Sequence, residues 1–363
     1  MTSEWKKESD PRTGREVWQL TQGDADSHFC YQTVQGFTAD ERYIVFASKR
    51  TGRWQLYRSD LRTGEVERLT DEADLRNQSY AMHPNGREVF FFAGSAVGSA
   101  EVATRRVRRV MDLEGRVPAP PSGHEMAFSA DGRRAVIGCG GKGKTHSHVC
   151  LADLETGEVK SALDWPNGWL CHFQICPANR DWVTFDPLPD PQNDMSKSLE
   201  ERARAWLLDV GTGRARPLLM CPTGTRGTHE YWGPSGRRMY FHHKTQPGWV
   251  PTSLASIGAD GGDWRTHYTS ATLKLGHSAI TGDERWIVAD VQEPGENPLL
   301  LVEAATGRSR TVCWPNSSSR TGAGSAVSHV HPSFSPLGTY VGFTSDRTGR
   351  AQVYVAPVGD LLG

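Results

Sequence analysis

A four-strand repeat recurs seven times along the 363-residue chain and constrains its fold more than any other feature. The unit consists of a short apolar strand, a turn near the pattern [ST]-[PA]-[DN]-G, two strands rich in β-branched and aromatic residues, and a T-G-x-type hairpin. The third residue of each turn serves as an anchor, and the anchors are Asp40, Asn85, Asp131, Asn179, Ser235, Asp283 and Leu337. Their spacings of 45, 46, 48, 56, 48 and 54 residues predict an all-β fold, a seven-bladed β-propeller.

The two ends of the chain are predicted to meet in one blade. A propeller has to close, because an open edge strand is a template for aggregation. The last repeat begins at His331 and reaches the C-terminus after only three predicted strands. We predict that segment 16–20 supplies the missing strand and closes the ring, which makes residues 1–363 a single domain.

The longest anchor spacing contains an insertion. Residues 187–192 form a proline-rich loop, and the Ser198-x-x-Glu201 capping box predicts a short helix over 198–204. Insertions in propellers lie on a face, where ligands bind. A surface insertion without a role explains the segment equally well.

Composition excludes several partners and points to one compartment. Lys and Arg total 41 against 42 Asp and Glu, so there is no electrostatic basis for binding nucleic acid or an anionic membrane. No window approaches ~18 consecutive apolar residues, and the N-terminus has no apolar run after its lysines, so we expect a cytoplasmic protein. Seven scattered cysteines without a C-x-x-C motif indicate reduced thiols. The oligomeric state stays open.

Residues 138–145 match the P-loop pattern G-x-x-x-x-G-K-[ST] letter for letter. The following residues read as a strand and a hairpin, so no helix supplies the dipole that a phosphate site requires. We therefore predict a glycine hairpin between blade strands. The chain also has no G-x-S-x-G elbow, which counts against a serine hydrolase.

Histidine recurs at one position of the repeat. Counting back six residues from the last three anchors reaches His229, His277 and His331. In a propeller this segment is the innermost strand of a blade, and equal phase means equal depth along the central channel. We therefore expect these three side chains at one level around one mouth.

Other residues occur at or near this phase. His329 is two residues before His331, so on a strand both side chains project to the same side. His172 is one residue out of phase in the fourth repeat and His28 precedes the first, which makes both candidate neighbours. The third repeat has Glu125 at this position.

Converging imidazoles suit a divalent transition ion such as Mn²⁺ or Zn²⁺, with positions left for substrate. A neutral histidine outside the metal ligands, with an ordinary pKa near ~6.5, can act as a general base. The spacing alone also fits a water-filled tunnel whose polar side chains have no chemical role.

Several motifs in register resemble the oligogalacturonate lyases of polysaccharide lyase family 22, which are cytosolic seven-bladed propellers. These motifs are W-L-C-H at 169–172, A-R-A-W at 203–206, T-H-E-Y-W at 228–232, G-H-S at 276–278 and H-V-H-P-S-F-S-P at 329–336. T-H-E-[FY]-W and H-x-H-P-S-F are fairly specific, whereas S-F-S-P followed by T-S-D-R is shared with TolB-like propellers.

The resemblance implies a role for each matching residue. It makes His229 the Brønsted base and Arg204 a catalytic residue that binds a uronate carboxylate. The implied Mn²⁺ ligands are His277, His329 and His331. The implied further substrate contacts are His172, His28 and Trp232. The family also has a metal-shell glutamine, preceded by an arginine, where this chain has Ala326 and Ser325. The segment around Asp186 lacks a histidine that the family tends to carry.

The implied activity is cleavage of short oligogalacturonides in pectin degradation by metal-assisted β-elimination. The C5 proton of a uronate becomes acidic when the charge of the adjacent carboxylate is neutralised, and a positioned imidazole can then remove it. Breaking the C4–O4 bond leaves a 4,5-unsaturated uronate. The alternatives are a lyase or hydrolase for another uronate, such as a glucuronate or rhamnose-linked one, and a non-catalytic TolB-like propeller that binds a ligand.

Overall fold

The computed structural model describes residues 3–122, 126–140, 145–166, 168–295, 297–320 and 328–363. These residues form 29 strands in seven antiparallel sheets, together with two short 3₁₀ helices. The all-β seven-bladed propeller predicted from the repeat is thus confirmed. Within the described residues, no helix is long and apolar enough to cross a membrane.

The strands follow the repeat in chain order. The chain starts with β1 (Lys6–Ser9) and β2 (Glu16–Gln19), and blade 1 contains β3 (Ser27–His28), β4 (Tyr43–Ser48), β5 (Gln55–Asp60) and β6 (Val66–Arg68). Blade 2 contains β7 (Leu75–Met82), β8 (Glu88–Ala93), β9 (Ala96–Glu101) and β10 (Val107–Asp112). Blade 3 contains β11 (Ala127–Phe128), β12 (Arg134–Cys139), β13 (Ser147–Asp153) and β14 (Val159–Trp165).

The remaining blades repeat this order. Blade 4 contains β15 (Trp169–Cys176), β16 (Asn179–Leu188), β17 (Ala205–Asp209) and β18 (Arg214–Leu219). Blade 5 contains β19 (Thr225–Trp232), β20 (Arg238–Thr245), β21 (Thr252–Gly258) and β22 (Arg265–Ser270). Blade 6 contains β23 (Leu275–Ile280), β24 (Trp286–Val291), β25 (Leu299–Glu303) and β26 (Ser309–Cys313). Blade 7 contains β27 (Ser333–Phe334), β28 (Tyr340–Ser345) and β29 (Gln352–Pro357), and the 3₁₀ helices are Pro191–Asn193 and Gly359–Leu361.

The chain divides into two compact units. Unit 1 consists of Met1–Val89, Ala100–Val107 and Leu273–Gly363, and it includes blades 1, 6 and 7. Unit 2 consists of Phe90–Ser99 and Arg108–Thr272, and it includes blades 3, 4 and 5. The strands of blade 2 belong partly to each unit.

Blade 7 is completed by the N-terminal segment, as predicted. Its strand order is β1-β2-β29-β28-β27, with Trp18 paired to Val355 and Gln19 paired to Tyr354. Strand β1 was not expected; it pairs antiparallel with β2 and adds a fifth, outermost strand. The polar composition of β1, with its sequence K-K-E-S, suits an exposed sheet edge.

Apolar clusters join neighbouring blades. In unit 1 a cluster that includes Trp286 and Phe343 joins blades 6 and 7. In unit 2 one cluster around Phe185 joins blades 3 and 4, and another around Phe241 joins blades 4 and 5. Burying each large apolar side chain contributes about 1.5–3 kcal/mol, so these clusters hold together the blades that they join. All seven cysteines are free and buried, as expected of reduced thiols.

The predicted helix over 198–204 is wrong. The capping box does form, with the Ser198 amide donating to Glu201 Oε2 (2.9 Å) and the Glu201 amide donating to Ser198 Oγ (3.3 Å), but only one turn follows. The turn ends because the Arg204 amide donates to the Leu219 carbonyl (2.8 Å), which draws Ala203 and Arg204 into the sheet of blade 4. Tertiary pairing therefore overrides the local helix signal.

Residues 141–144 of the P-loop-like segment lie outside the described residues. The strands that flank the segment, β12 and β13, pair antiparallel up to Cys139 and His148. This pairing agrees with the predicted hairpin and leaves strand, not helix, directly after the segment.

Candidate active site

The first strands of blades 4, 5 and 6 share a β-bulge at the histidine position. At each bulge two residues oppose one residue of the second strand, and the pairs are His172 with Phe173, His229 with Glu230, and Gly276 with His277. A bulge re-aims the side chains beside it and is frequent next to functional sites. The repeat therefore places an irregular, histidine-bearing backbone at the same point of three successive blades.

His172 is equivalent in structure to His229, although the sequence phase put it one residue away. Asn179 begins β16 instead of lying in the turn, and a second register shift between Ile175 and Cys176 accounts for the offset. The backbone φ angles of His172 and His229 are +51° and +56°, in the left-handed region. That region costs a non-glycine residue roughly 1–2 kcal/mol, so the surrounding sheet must hold both residues there.

Three histidines of unit 1 form a compact group, which we call the histidine trio: His277, His329 and His331. One ring nitrogen from each lies within 4.8 Å of the others. The ring centroids of His277 and His331 are 4.2 Å apart, and that of His329 is 5.3 Å and 5.4 Å from these two. The structure thus brings together the three residues that the family resemblance implies as metal ligands.

Asp290 orients one member of the trio. Its Oδ1 accepts the His277 amide at 2.6 Å, and its Oδ2 lies 3.0 Å from His277 Nδ1. A carboxylate behind a histidine fixes the tautomer and leaves Nε2 for a metal ion. Gly276 permits this approach, because a Cβ there would lie 2.5 Å from Asp290 Oδ1.

The trio has the chemistry of a metal site. The Nε2 atoms of His329 and His331 are buried and have no hydrogen-bond partner among the described residues. Burial lowers the pKa of His329 and lowers that of His331 well below its ordinary value, where the charges of His277 and His329 would add to the effect. Neutral imidazoles with buried, unpartnered nitrogens are suited to bind a divalent transition ion.

Two other residues of unit 1 lie close to the trio. The Tyr31 ring packs edge-on against His331 and His277, with centroid distances of 4.9 Å and 6.1 Å. His28 is buried on β3, packs against Trp54 at 5.2 Å, and is among the charges that influence His331. Glu125, Ser325 and Ala326 lie outside the described residues.

Unit 2 contains a buried ionic group, which we call the Arg204 cluster. It consists of Arg204, Arg226, Asp186, Asp190, Glu230 and His172. The Arg204 Nη2 lies 2.7 Å from Asp186 and 3.0 Å from Glu230, and its Nη1 lies 3.6 Å from Asp190. Arg226 forms a short ion pair with Asp190. Arg204 is only 5% exposed, so its guanidinium is occupied by protein carboxylates.

The pKa values of the two most buried carboxylates of the cluster, Asp186 and Glu230, are shifted in opposite directions. Burial raises the pKa of Asp186 well above its ordinary range despite the nearby Arg204 charge, and repulsion from Glu230 acts in the same direction as burial. Burial alone would also raise the pKa of Glu230, but the Arg204 charge and a hydrogen bond from Asp186 outweigh it and lower the pKa to about 2. Of the two carboxylates, Asp186 is therefore the one that takes up a proton more readily.

His229 lies beside this cluster and is half-buried on β19, next to Glu230. Its ring packs edge-on against the fully buried His242, with centroids 5.9 Å apart. A half-buried imidazole on a strained bulge is accessible to a ligand and held in one orientation, as a general base must be.

Trp232 is placed differently from the substrate contact that the resemblance implies. Its side chain is 7% exposed, belongs to the apolar cluster between blades 4 and 5, and donates through Nε1 to Thr184 Oγ1 at 3.2 Å. This burial leaves little ring surface for a sugar.

The sequence reasoning missed Asp290, Tyr31, Asp190 and Glu230. Asp290 stands between Ala289 and Val291 in β24, and its position opposite the bulge can be recognised only from the strand register. Glu230 stands in the T-H-E-Y-W motif directly after His229, so its position was a signal that could have been used.

Loss of the Arg204 charge should destabilise the fold strongly. Removing one partner of a buried ion pair costs about 3–5 kcal/mol, so we expect Arg204→Met to lower the free energy of unfolding by that amount in urea denaturation. The matched control is Arg134→Met, which breaks the partly exposed pair with Asp181 and should cost less than about 1 kcal/mol. Equal losses in the two variants would contradict the buried-cluster interpretation.

Two comparisons find oligogalacturonate lyases among the proteins that are similar to this chain. No family model matches the chain. In an alignment 386 positions long, which covers 97% of this chain and 95% of the relative, it is 25% identical to the oligogalacturonide lyase of Pectobacterium atrosepticum. A solved oligogalacturonate lyase in complex with manganese has a TM-score of 0.85 at 23% identity, covering 98% of this chain and 96% of its own. The oligogalacturonate lyase of Vibrio parahaemolyticus has a TM-score of 0.84 at 20% identity, covering 100% and 99%.

These comparisons confirm the propeller fold. They also show that the resemblance seen in separate motifs extends over nearly the full length of the relatives.

Proposed function

We propose that the chain is an oligogalacturonate lyase that cleaves short oligogalacturonides by metal-assisted β-elimination. The observation that carries this proposal is the histidine trio backed by Asp290, in a chain that aligns end to end with oligogalacturonate lyases. The products are 4,5-unsaturated uronates. The proposal includes membership of polysaccharide lyase family 22 and a cytoplasmic location, and the seven free, buried thiols support a reducing compartment.

Manganese is the proposed cofactor, because one of the solved lyases with this fold was determined with manganese. His277, His329 and His331 are the proposed ligands, and Asp290 is the proposed orienting carboxylate. When bound, the ion neutralises the uronate carboxylate and stabilises the charge that develops as C5 loses its proton.

The residues of unit 2 are proposed to handle the proton and the substrate charge. His229 takes the C5 proton, as its accessible and constrained imidazole permits. Arg204 acts through its positive charge, because Asp186 and Glu230 already occupy its guanidinium. Arg226 is the better direct partner for a substrate carboxylate, since its side chain is a quarter exposed whereas that of Arg204 is almost fully buried.

The remaining substrate contacts are assigned to His28 and His172. We further propose that residues 1–363 unfold as one domain, because β2 and β29 join the two ends of the chain in blade 7. Calorimetry should then give one transition, with equal calorimetric and van't Hoff enthalpies.

The direct test is an absorbance assay for the 4,5-unsaturated product. Purified protein would be incubated with digalacturonate, trigalacturonate and a panel of other uronate oligosaccharides, with Mn²⁺ and with a chelator. Ultraviolet absorbance should rise with the galacturonates and Mn²⁺ and fall to background on chelation. If the absorbance rose only with another uronate, that uronate would be the substrate. If the absorbance rose with no uronate although the protein is folded, the lyase proposal would be wrong.

Asp290→Asn should weaken manganese binding without abolishing it. Outer-shell carboxylates typically contribute 10- to 100-fold to metal affinity, because they fix the tautomer and orientation of the ligand. We expect a loss of about that size in calorimetric titration of metal-stripped protein with Mn²⁺. Asp283→Asn, in an exposed turn of the same blade, is the matched control and should leave the affinity unchanged. Equal affinities for wild type and Asp290→Asn would remove Asp290 from the metal site.

A further inference from the structure

β-Elimination needs a proton donor as well as a base. When His229 removes the C5 proton, the electrons of the C5–H bond form the C4–C5 double bond and the C4–O4 bond breaks. The departing O4 of a sugar is a strongly basic alkoxide, so it leaves far more readily if a general acid protonates it. The inference below concerns this acid and rests on the proposed lyase function.

His172 has the backbone placement that His229 has. Both occupy the first position of the same bulge, in the adjacent blades 4 and 5 of unit 2, with φ angles of +51° and +56°. The His172 side chain is 25% exposed, so a ligand can reach it. The Gln174 side chain links the two strands, because its Nε2 donates to the Glu230 carbonyl (2.8 Å) and its Oε1 accepts the Trp232 amide (3.1 Å).

Asp186 holds the His172 ring. Its Oδ2 lies 2.7 Å from His172 Nδ1, and its side chain is 1% exposed. Other groups near this nitrogen are Cys171 Sγ at 3.3 Å and Arg204 Nη2 at 3.4 Å. A buried carboxylate at Nδ1 fixes the tautomer, so proton transfer to a ligand runs through Nε2.

The charges of the Arg204 cluster require one further proton. Asp186, Asp190 and Glu230 are three carboxylates, whereas Arg204 and Arg226 are two permanent cations. A buried carboxylate without a cation is strongly unfavourable, so the cluster keeps a proton on either His172 or Asp186. The raised pKa of Asp186 is consistent with this count.

The cations already present in the Arg204 cluster argue against a metal ion bound by His172 and Asp186. Cys171, His172 and Asp186 have ligand atoms within 4.8 Å of one another, as in a metal site. The Arg204 Nη2 lies 2.7 Å from Asp186 Oδ2, so the position beside this carboxylate is already taken by a cation.

We propose that His172, held by Asp186, is the general acid that protonates the departing O4. In each turnover His229 gains the C5 proton, and His172 gives the proton on its Nε2 to O4. The proton that His172 shares with Asp186 then stays on Nδ1, so the imidazole of His172 is neutral after the transfer. The sugar leaves as an alcohol, and exchange with solvent returns His229 and His172 to their starting forms. Asp186 is a positioning residue in this scheme, because it acts through His172.

The test compares two leaving groups at saturating Mn²⁺. Trigalacturonate needs protonation of O4, whereas a galacturonate with 4-nitrophenol at O4 releases a stable phenolate without it. We expect His172→Gln to lower kcat about 100-fold on trigalacturonate and less than about threefold on the nitrophenyl substrate. His229→Gln should lose activity on both substrates, since C5 is deprotonated in each case.

The pH profile gives a second readout. Wild-type kcat on trigalacturonate should fall at alkaline pH, as the pair of His172 and Asp186 loses its proton. This alkaline limb should vanish in His172→Gln and for wild type on the nitrophenyl substrate. Asp186→Asn should lower kcat on trigalacturonate with little change in KM.

The control is His148→Gln, which alters a surface pair with Asp164 on blade 3 and should behave as wild type. Equal losses of His172→Gln on both substrates, at an unchanged melting temperature, would overturn the acid role. If wild type forms no unsaturated product from either substrate, the lyase proposal itself fails, so the two failures are distinguishable.

Discussion

His229→Gln is expected to lower kcat on trigalacturonate about 10⁴-fold. General acid–base groups typically contribute 10²- to 10⁴-fold, and removal of a carbon-bound proton should lie at the upper end because water is a poor base for it. Mn²⁺ affinity, measured by calorimetric titration, should stay unchanged, since His229 is outside the histidine trio. Rate assays at saturating Mn²⁺ would separate the two effects.

The matched control is His243→Gln. His243 lies on β20 in the same blade, packs against Trp264 and has a pKa lowered by burial, but the proposal gives it no role. Its kcat should stay within about threefold of wild type. If His229→Gln retained more than a tenth of wild-type activity while folded, another residue would have to be the base.

His331→Ala is expected to lower Mn²⁺ affinity more than about 100-fold. An outer-shell partner already contributes 10- to 100-fold, and a direct ligand should contribute more. Because an ion that binds only the folded state stabilises it, Mn²⁺ should raise the wild-type melting temperature but not that of the variant. Lyase activity should be lost with the metal.

His146→Ala, at an exposed position of blade 3, is the control for a histidine removed elsewhere. It should keep both the affinity and the metal-dependent thermal shift. Unchanged Mn²⁺ binding by His331→Ala would show that the ion binds outside the histidine trio.

Sequence periodicity predicted the blade number and the closing strand because both depend on local patterns. The same turn occurs in different blades. In blades 1 and 6 the hydroxyls of Thr38 and Thr281 donate to Asp40 and Asp283 two residues later, at 2.6 Å and 2.5 Å. Such turns recur in sequence as well as in structure. The phase of the histidines gave two members of the trio, and the H-x-H spacing gave the third.

The parts that the sequence could not predict depend on strand register and tertiary contacts. The equivalence of His172 and His229 follows from the β-bulge that each occupies, and a bulge can be recognised only from the strand register. Burial of Arg204 depends on carboxylates from two segments, with Asp186 and Asp190 in one and Glu230 in the other. The helix expected over 198–204 failed for the same reason, because sheet pairing at Arg204 outweighed a local cap.

The pairing of β2 with β29 has a consequence for biosynthesis. His329 and His331 directly precede β27, and the sheet that contains β27 is complete only when β29 pairs with β2. Domains fold as their residues leave the ribosome, starting from the N-terminus. The trio can therefore reach its final geometry only after β29 has been synthesised, and a nascent chain stalled before blade 7 would carry His277 alone.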